Sequence, residues 1–197
     1  MNPIKKRFSF KTFIIILSFF TSGCASPYLL FKQTPTLALQ PNEGAVLFSS
    51  KFNNKERPDQ KNTFWVTNIA LQEVNQYKSY GEKQLFFIPY PKVNYIQQDD
   101  LFLFSLKLPR GIYRITSFNG MFRTFFATEY SAAVNKIFDV VPGKISYAGR
   151  VETVFFISGG QQTHEIKIED KFDEDQGRFK NGYPALQNRT IVKDLIY

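Results

Sequence analysis

From Gly44 to Glu169 the chain breaks into short apolar runs closed by turn residues, and this spacing narrows its fold more than any other feature. The runs are Ala45–Phe52, Phe64–Val74, Leu85–Ile88, Leu101–Leu108, Ile112–Phe118, Phe122–Ala127, Ile137–Val141, Ile145–Ile157 and His164–Glu169. They are rich in β-branched and aromatic residues, and Gly, Pro, Asn, Asp or Ser falls between them, which is how strands read. Two of them alternate. Phe64, Val66, Asn68 and Ala70 oppose Trp65, Thr67, Ile69 and Leu71, while Phe102, Phe104, Leu106 and Leu108 share a face opposite Ser105 and Lys107. Leu85–Ile88 is apolar throughout and bounded by Pro89 and Pro91, so a strand covered on both faces is expected there. Strands at this spacing predict a mainly β protein, an antiparallel β-sandwich, over residues 43–169.

The turn residues predict connections. Pro109-Arg110-Gly111 suits a type I turn, with proline presetting φ, and pairs Leu101–Leu108 with Ile112–Phe118. Asn119-Gly120 is a second turn signal. Pro142-Gly143-Lys144 and the segment Ser158–Gln162 supply two more, and Gly149 inside a long run suggests a bulge. After residue 169 the period changes. Phe172, Gln176, Phe179 and Tyr183 fall at helical intervals, with Asp170, Asp173, Glu174 and Asp175 ahead of them. Acids favour a helix N-terminus, where unpaired N–H groups are positive. A short C-terminal helix from Asp170 to Lys180, ended by Gly182 and Pro184, is expected, with its acids solvated. Leu186–Leu195 adds a further turn or strand, and residues 170–197 pack on the same domain.

Leu108-Pro109-Arg110-Gly111-Ile112-Tyr113-Arg114-Ile115 resembles the Leu-Pro-x-Gly-x-Tyr-x-hydrophobic signature of transthyretin-like (prealbumin-like) sandwich domains. Phe138 to Gly149 is similar to the later strand pair in small bacterial lipoproteins of that kind. The resemblance implies an architecture; such families carry no single activity.

The N-terminus carries an address. Lys5, Lys6, Arg7 and Lys11 precede an uncharged apolar run, Thr12–Phe20, followed by the small residues Thr21-Ser22-Gly23. That layout is a secretory signal peptide, and the run is short of the roughly 20 residues that a membrane span requires. Thr21-Ser22-Gly23-Cys24 resembles the lipobox of bacterial lipoproteins, with Thr21 standing where leucine is favoured. The resemblance implies removal of residues 1–23, cleavage between Gly23 and Cys24, and lipid on Cys24. Ala25, rather than Asp, after the cysteine resembles the signal for export to the outer membrane. Cys24 is the sole cysteine, so no disulfide forms within one chain. Residues 24–42, with Pro27, Pro35 and Pro41, read as a lipidated tether that extends to roughly 60 Å at most.

Composition then excludes function classes. Without residues 1–23, 21 basic residues remain against 17 acids, a net charge of +4. These charges are too scattered for a nucleic-acid footprint. His164 is the only histidine and no Gly-x-Ser-x-Gly elbow is present, so no catalytic residues are assigned and the chain reads as a non-enzyme. One histidine and one lipidated cysteine leave too few ligands for zinc, and Asp173-Glu174-Asp175-Gln176-Gly177 lacks EF-hand spacing. Gly159-Gly160 lacks the surrounding pattern of a phosphate loop. No metal or cofactor is expected. The expected function is an outer-membrane lipoprotein whose β-sandwich binds a protein partner or an envelope polymer, as in an accessory subunit of an envelope assembly. The alternative is a periplasmic carrier of a small hydrophobic or sugar ligand, with aromatic residues lining a cavity.

Overall fold

The computed structural model describes residues 36–56, 64–74, 85–89, 95–122, 129–158 and 161–197. Gly23, Cys24, most of the tether and the stretch 123–127 lie outside them, as do the side chains of Leu85–Ile88. Among the described residues ten strands follow in order: β1 (Glu43–Asn54), β2 (Phe64–Glu73), β3 (Leu85–Pro89), β4 (Tyr95–Gln98), β5 (Leu101–Pro109), β6 (Gly111–Phe122), β7 (Glu129–Val140), β8 (Ile145–Ser158), β9 (Gln161–Glu169) and, after the helix, β10 (Val192–Lys193). The helix α1 spans Phe172–Gly182, and a 3₁₀ turn follows at Pro184–Leu186.

The strands form two sheets. One has the order β10-β8-β1-β5-β4, with β9 also paired to β8; the other is β3-β2-β6-β7. The first sheet corrects the antiparallel expectation, because β1 and β10 both run parallel to β8. Pro109-Arg110-Gly111 is also not a hairpin turn. β5 pairs with β1 and β4, whereas β6 pairs with β2 and β7, so the chain changes sheet at Arg110. The corner is held by the Tyr113 hydroxyl donating to the Pro109 carbonyl at 3.1 Å and the Arg110 N–H donating to the Asn42 carbonyl at 2.6 Å.

Asn119-Gly120 likewise lies inside β6 instead of ending it. The glycine is there for close approach: a Cβ on Gly120 would stand 2.4 Å from the Trp65 carbonyl oxygen. Thr67 is an extra residue on β2 opposite this point, and its hydroxyl donates to the Asn119 carbonyl at 3.1 Å.

The sheets face each other across an aromatic core. Phe48, Phe52, Phe102, Phe104 and Phe155 of the six-stranded sheet meet Phe64, Phe118 and Phe122 of the other, all with 2% exposure or less. Phe52 stacks on Phe64 with centroids 4.4 Å apart and meets Phe118 edge-on at 5.4 Å, geometries that suit ring quadrupoles. The outer face of the six-stranded sheet is covered too. Leu47, Leu103 and Tyr147 pack under Phe179, Tyr183 and Leu186 of the C-terminal segment. β1 is therefore buried on both faces, which is why Ala45–Phe48 is apolar without alternation.

Candidate functional site

The helix that covers the outer face is fixed by a buried charge. In α1, Phe172, Asp175 and Phe179 fall three and four residues apart and so share a face. Asp175 is fully buried, which corrects the expectation that the acids of this segment are solvated. Its carboxylate accepts from Ser49 Oγ, from the Tyr147 hydroxyl at 2.6 Å, and from Arg150 through both Nε and Nη2. Glu174, exposed at the rim, adds an ion pair to Arg150 at 3.2 Å.

A bulge makes this convergence possible. Between the pairs Leu47–Tyr147 and Ser49–Arg150, β1 advances by two residues and β8 by three. Gly149 takes up the difference with φ 111°, a backbone region closed to most side chains. Without the extra residue, Tyr147 and Arg150 would point to opposite faces of β8. With it, both face the helix, while Ala148 and Val151 face the inter-sheet core.

Burial first, and then the Asp175 carboxylate beside it, push the Tyr147 hydroxyl well above the usual tyrosine range. Burial alone does the same to Tyr183, whose hydroxyl donates to the Leu103 carbonyl at 2.8 Å. Burial pulls Arg150 down, but Asp175 and Glu174 outweigh it and hold the guanidinium above its ordinary value. The cluster is sealed beneath the helix, so its chemistry is cohesion.

An accessible site lies where the chain enters the domain. A groove of about 630 Å³ is lined by Leu37 and Leu39 of the incoming chain, by Lys144 and Ile145 ahead of and at the start of β8, and by Arg189 and Thr190 of the C-terminal segment. Its lining holds two cations and no carboxylate. Arg189 Nη2 donates to the Leu37 carbonyl at 3.4 Å, tying the C-terminal segment to the incoming chain. Lys144 and Arg189 give the groove a positive lining, with the polar residues Asn188 and Thr190 beside them.

The other residues singled out in the sequence do not assemble into a centre. His164 Nε2 lies 3.2 Å from the Ala133 carbonyl oxygen, and its ring sits 6.3 Å from Phe155. Asp170 bonds Lys193 at 2.8 Å and accepts from the Phe172 N–H at 3.2 Å, and the first of these contacts leads in holding its carboxyl below the usual range. Among the described residues no group of histidine, cysteine, aspartate or glutamate is placed to hold a metal ion. Sequence reading missed Ser49, Tyr147, Arg150 and the groove cations Lys144 and Arg189. The available signal was the spacing of Asp175 between Phe172 and Phe179, which already put it on the helix's apolar face.

No family model matches the chain, and no curated protein does. Among solved structures, a leucine-rich repeat protein from Bacteroides thetaiotaomicron aligns with 56% of this chain at 12% identity and TM-score 0.34. A candidate cell adhesion protein from Bacteroides fragilis aligns with 66% at 9% identity and TM-score 0.36. The alignments span 14% and 46% of those two chains, and likeness at this level carries no argument about fold family or function.

Proposed function

We propose that this protein is a lipoprotein of the outer membrane, anchored through Cys24, whose β domain binds an envelope protein or an anionic envelope polymer without catalysing a reaction. The observation that carries the proposal is the sole cysteine standing directly after an apolar run and small residues. The position of the groove supports it, since Leu37 and Leu39 place two cations and no acid beside the arriving tether. A domain held by that tether presents the groove toward the surface that anchors it, where phosphate and carboxylate groups are dense. The inter-sheet volume is occupied by phenylalanine rings at 4.4 to 6.0 Å, which favours a partner bound at the surface over a ligand carried inside. We also assign the domain to the transthyretin-like group, on the Leu108–Ile115 signature and the corner that Tyr113 braces.

Intact mass of the protein extracted from the membrane fraction tests the anchor. The expected mass is that of residues 24–197 plus diacylglyceryl and acyl groups, absent in Cys24→Ser. An unmodified mature mass would refute lipid anchoring and leave a periplasmic or secreted protein.

A further inference from the structure

Most strand edges in the described part of the protein are covered or short. β7 carries a bulge at Asn135, with φ 52°, and its edge carbonyls at Ser131 and Ala133 face Gln162 and His164 side chains, at 3.0 and 3.2 Å. Further along β7, Ile137 exchanges two backbone hydrogen bonds with Tyr197. β4 has four residues and β10 two. These are the usual ways of blunting an edge.

β9 departs from that pattern. It has nine residues, no proline or glycine, and an unbroken register with β8. Among the described residues no strand lies along its other side. Its outward groups can be assigned. The Lys55 N–H donates to the Phe155 carbonyl, so residue 155 turns its peptide groups toward β1, and residues 154 and 156 turn theirs toward β9. Their partners Glu165 and Thr163 therefore point back at β8, which leaves the N–H and C=O groups of Gln162, His164, Ile166 and Ile168 directed outward.

We propose that β9 is a self-docking edge that pairs antiparallel with β9 of a second copy about a twofold axis at Ile166, joining the two six-stranded sheets. The axis can fall on a hydrogen-bonded or on a non-hydrogen-bonded residue pair, and charge selects among these: centred on Glu165 or on Lys167, like charges would face each other across the axis. Centred on Ile166, Glu165 faces Lys167 of the second copy twice over, Ile166 faces its own counterpart, and Thr163 faces Glu169. Centred on His164, Glu165 faces only Thr163. Centred on Ile168, the overlap runs past the strand end.

Glu165 has a reason to seek that partner. Its neighbour across on β8 is Val154, and among the described residues no lysine or arginine pairs with it. Lys167, in contrast, already continues a polar row: Asn53 donates to Glu152 at 3.2 Å, and Glu152 stands opposite Lys167. A second copy's Glu165 extends the row by one strand. A lysine on an edge normally repels another edge, but the ion pair with Glu169 offsets that charge here. Ile166 and Ile168 meanwhile pack against the inter-sheet core, so the paired strand would prolong an apolar inner face.

Sedimentation velocity of the full chain in mild detergent, across micromolar concentrations, tests the pairing and does not depend on the anchor. Wild type is expected to dimerise, and Glu165→Lys to weaken the dimer by at least about tenfold through like-charge juxtaposition. The swap E165K/K167E is expected to restore it, with circular dichroism confirming the fold of each variant. Should a charge variant fail to fold, Ile166→Cys in a Cys24→Ser background is the second measurement. Oxidation should link two copies, since facing residues lie within disulfide reach, and Val154→Cys, one strand inside, should not link. A monomer at every concentration, a dimer indifferent to Glu165→Lys, or a swap that fails to recover pairing would each overturn the proposal.

Discussion

Removal of the Asp175 carboxylate is the most demanding test of how the helix is held. In Asp175→Ala the helix backbone is unperturbed, because alanine is the best helix former. What changes is the cluster beneath it. The Ser49 and Tyr147 hydroxyls lose their acceptor, and Arg150, 6% exposed, keeps only the rim contact to Glu174 and a long donation from Nε to Ser49 Oγ at 3.4 Å. Breaking a buried ion pair by deleting one partner costs about 3–5 kcal/mol, because the remaining charge stays buried uncompensated. That is a large part of the roughly 5–15 kcal/mol that holds a domain together. Urea unfolding followed by far-ultraviolet circular dichroism and by fluorescence of Trp65, the only tryptophan, reads the loss. The double variant Asp175→Ala with Arg150→Met removes both charges, and about half or more of the loss should return, since apolar replacement of a buried pair is often neutral. A cost below about 1 kcal/mol for Asp175→Ala, or a double variant as unstable as the sum of the singles, would show that the carboxylate is not what holds the helix.

Two further outcomes follow from the same face. Tyr147 and Tyr183 have raised folded values, so above about pH 10 the unfolded chain releases their protons while the native protein retains them. Their contribution is fully present below about pH 10 and falls as pH rises above it, so the urea midpoint should drop once pH passes about 10, less steeply in Tyr183→Phe; equal slopes would contradict the assignment. Gly149→Ala forces a side chain onto φ 111° and should cost about 1–3 kcal/mol, read as a lower melting temperature by several degrees; an unchanged melt would mean that the bulge relaxes.

The strands were legible because their signal is local. Alternation in Phe102–Leu108 survives as a division into two faces, both of them buried. In Phe64–Leu71 the extra residue Thr67 switches the face, so that Phe64, Val66, Ile69 and Leu71 share the core side. Eight of the nine expected runs fall on strands, with Ile112–Phe118 inside a longer β6 and most of Phe122–Ala127 outside the described residues. β4 was missed. Tyr95–Gln98 is four residues with a single aliphatic side chain, too short to show a period. Pairing was less legible, since a turn tripeptide specifies that the chain bends and not which sheet receives it. Pro109-Arg110-Gly111 bends as its residues dictate, yet β5 and β6 find their partners far along the chain, with Leu108 opposite Gly44 and Gly120 opposite Val66.

The covering of the outer face explains both the hidden helix contact and the polar residues in the strands. A two-layer sandwich leaves an outer face in water, and alternating Ser49, Ser105, Lys107 and Arg150 would be ordinary there. Once α1 lies on that face, each polar residue needs an answer. Ser49 and Arg150 find Asp175, Lys107 reaches the edge and pairs with Glu43 at 3.3 Å, and the buried Ser105 hydroxyl alone of the four has no hydrogen-bond partner among the described residues. Two signals readable in the sequence thus belong to one device. Gly149 shifts Tyr147 and Arg150 onto a common face, and the Phe172-Asp175-Phe179 spacing brings the matching carboxylate down on them. Either signal alone reads as a bulge or as an acidic helix start. Only the fold, by setting β8 beneath α1, makes them complementary.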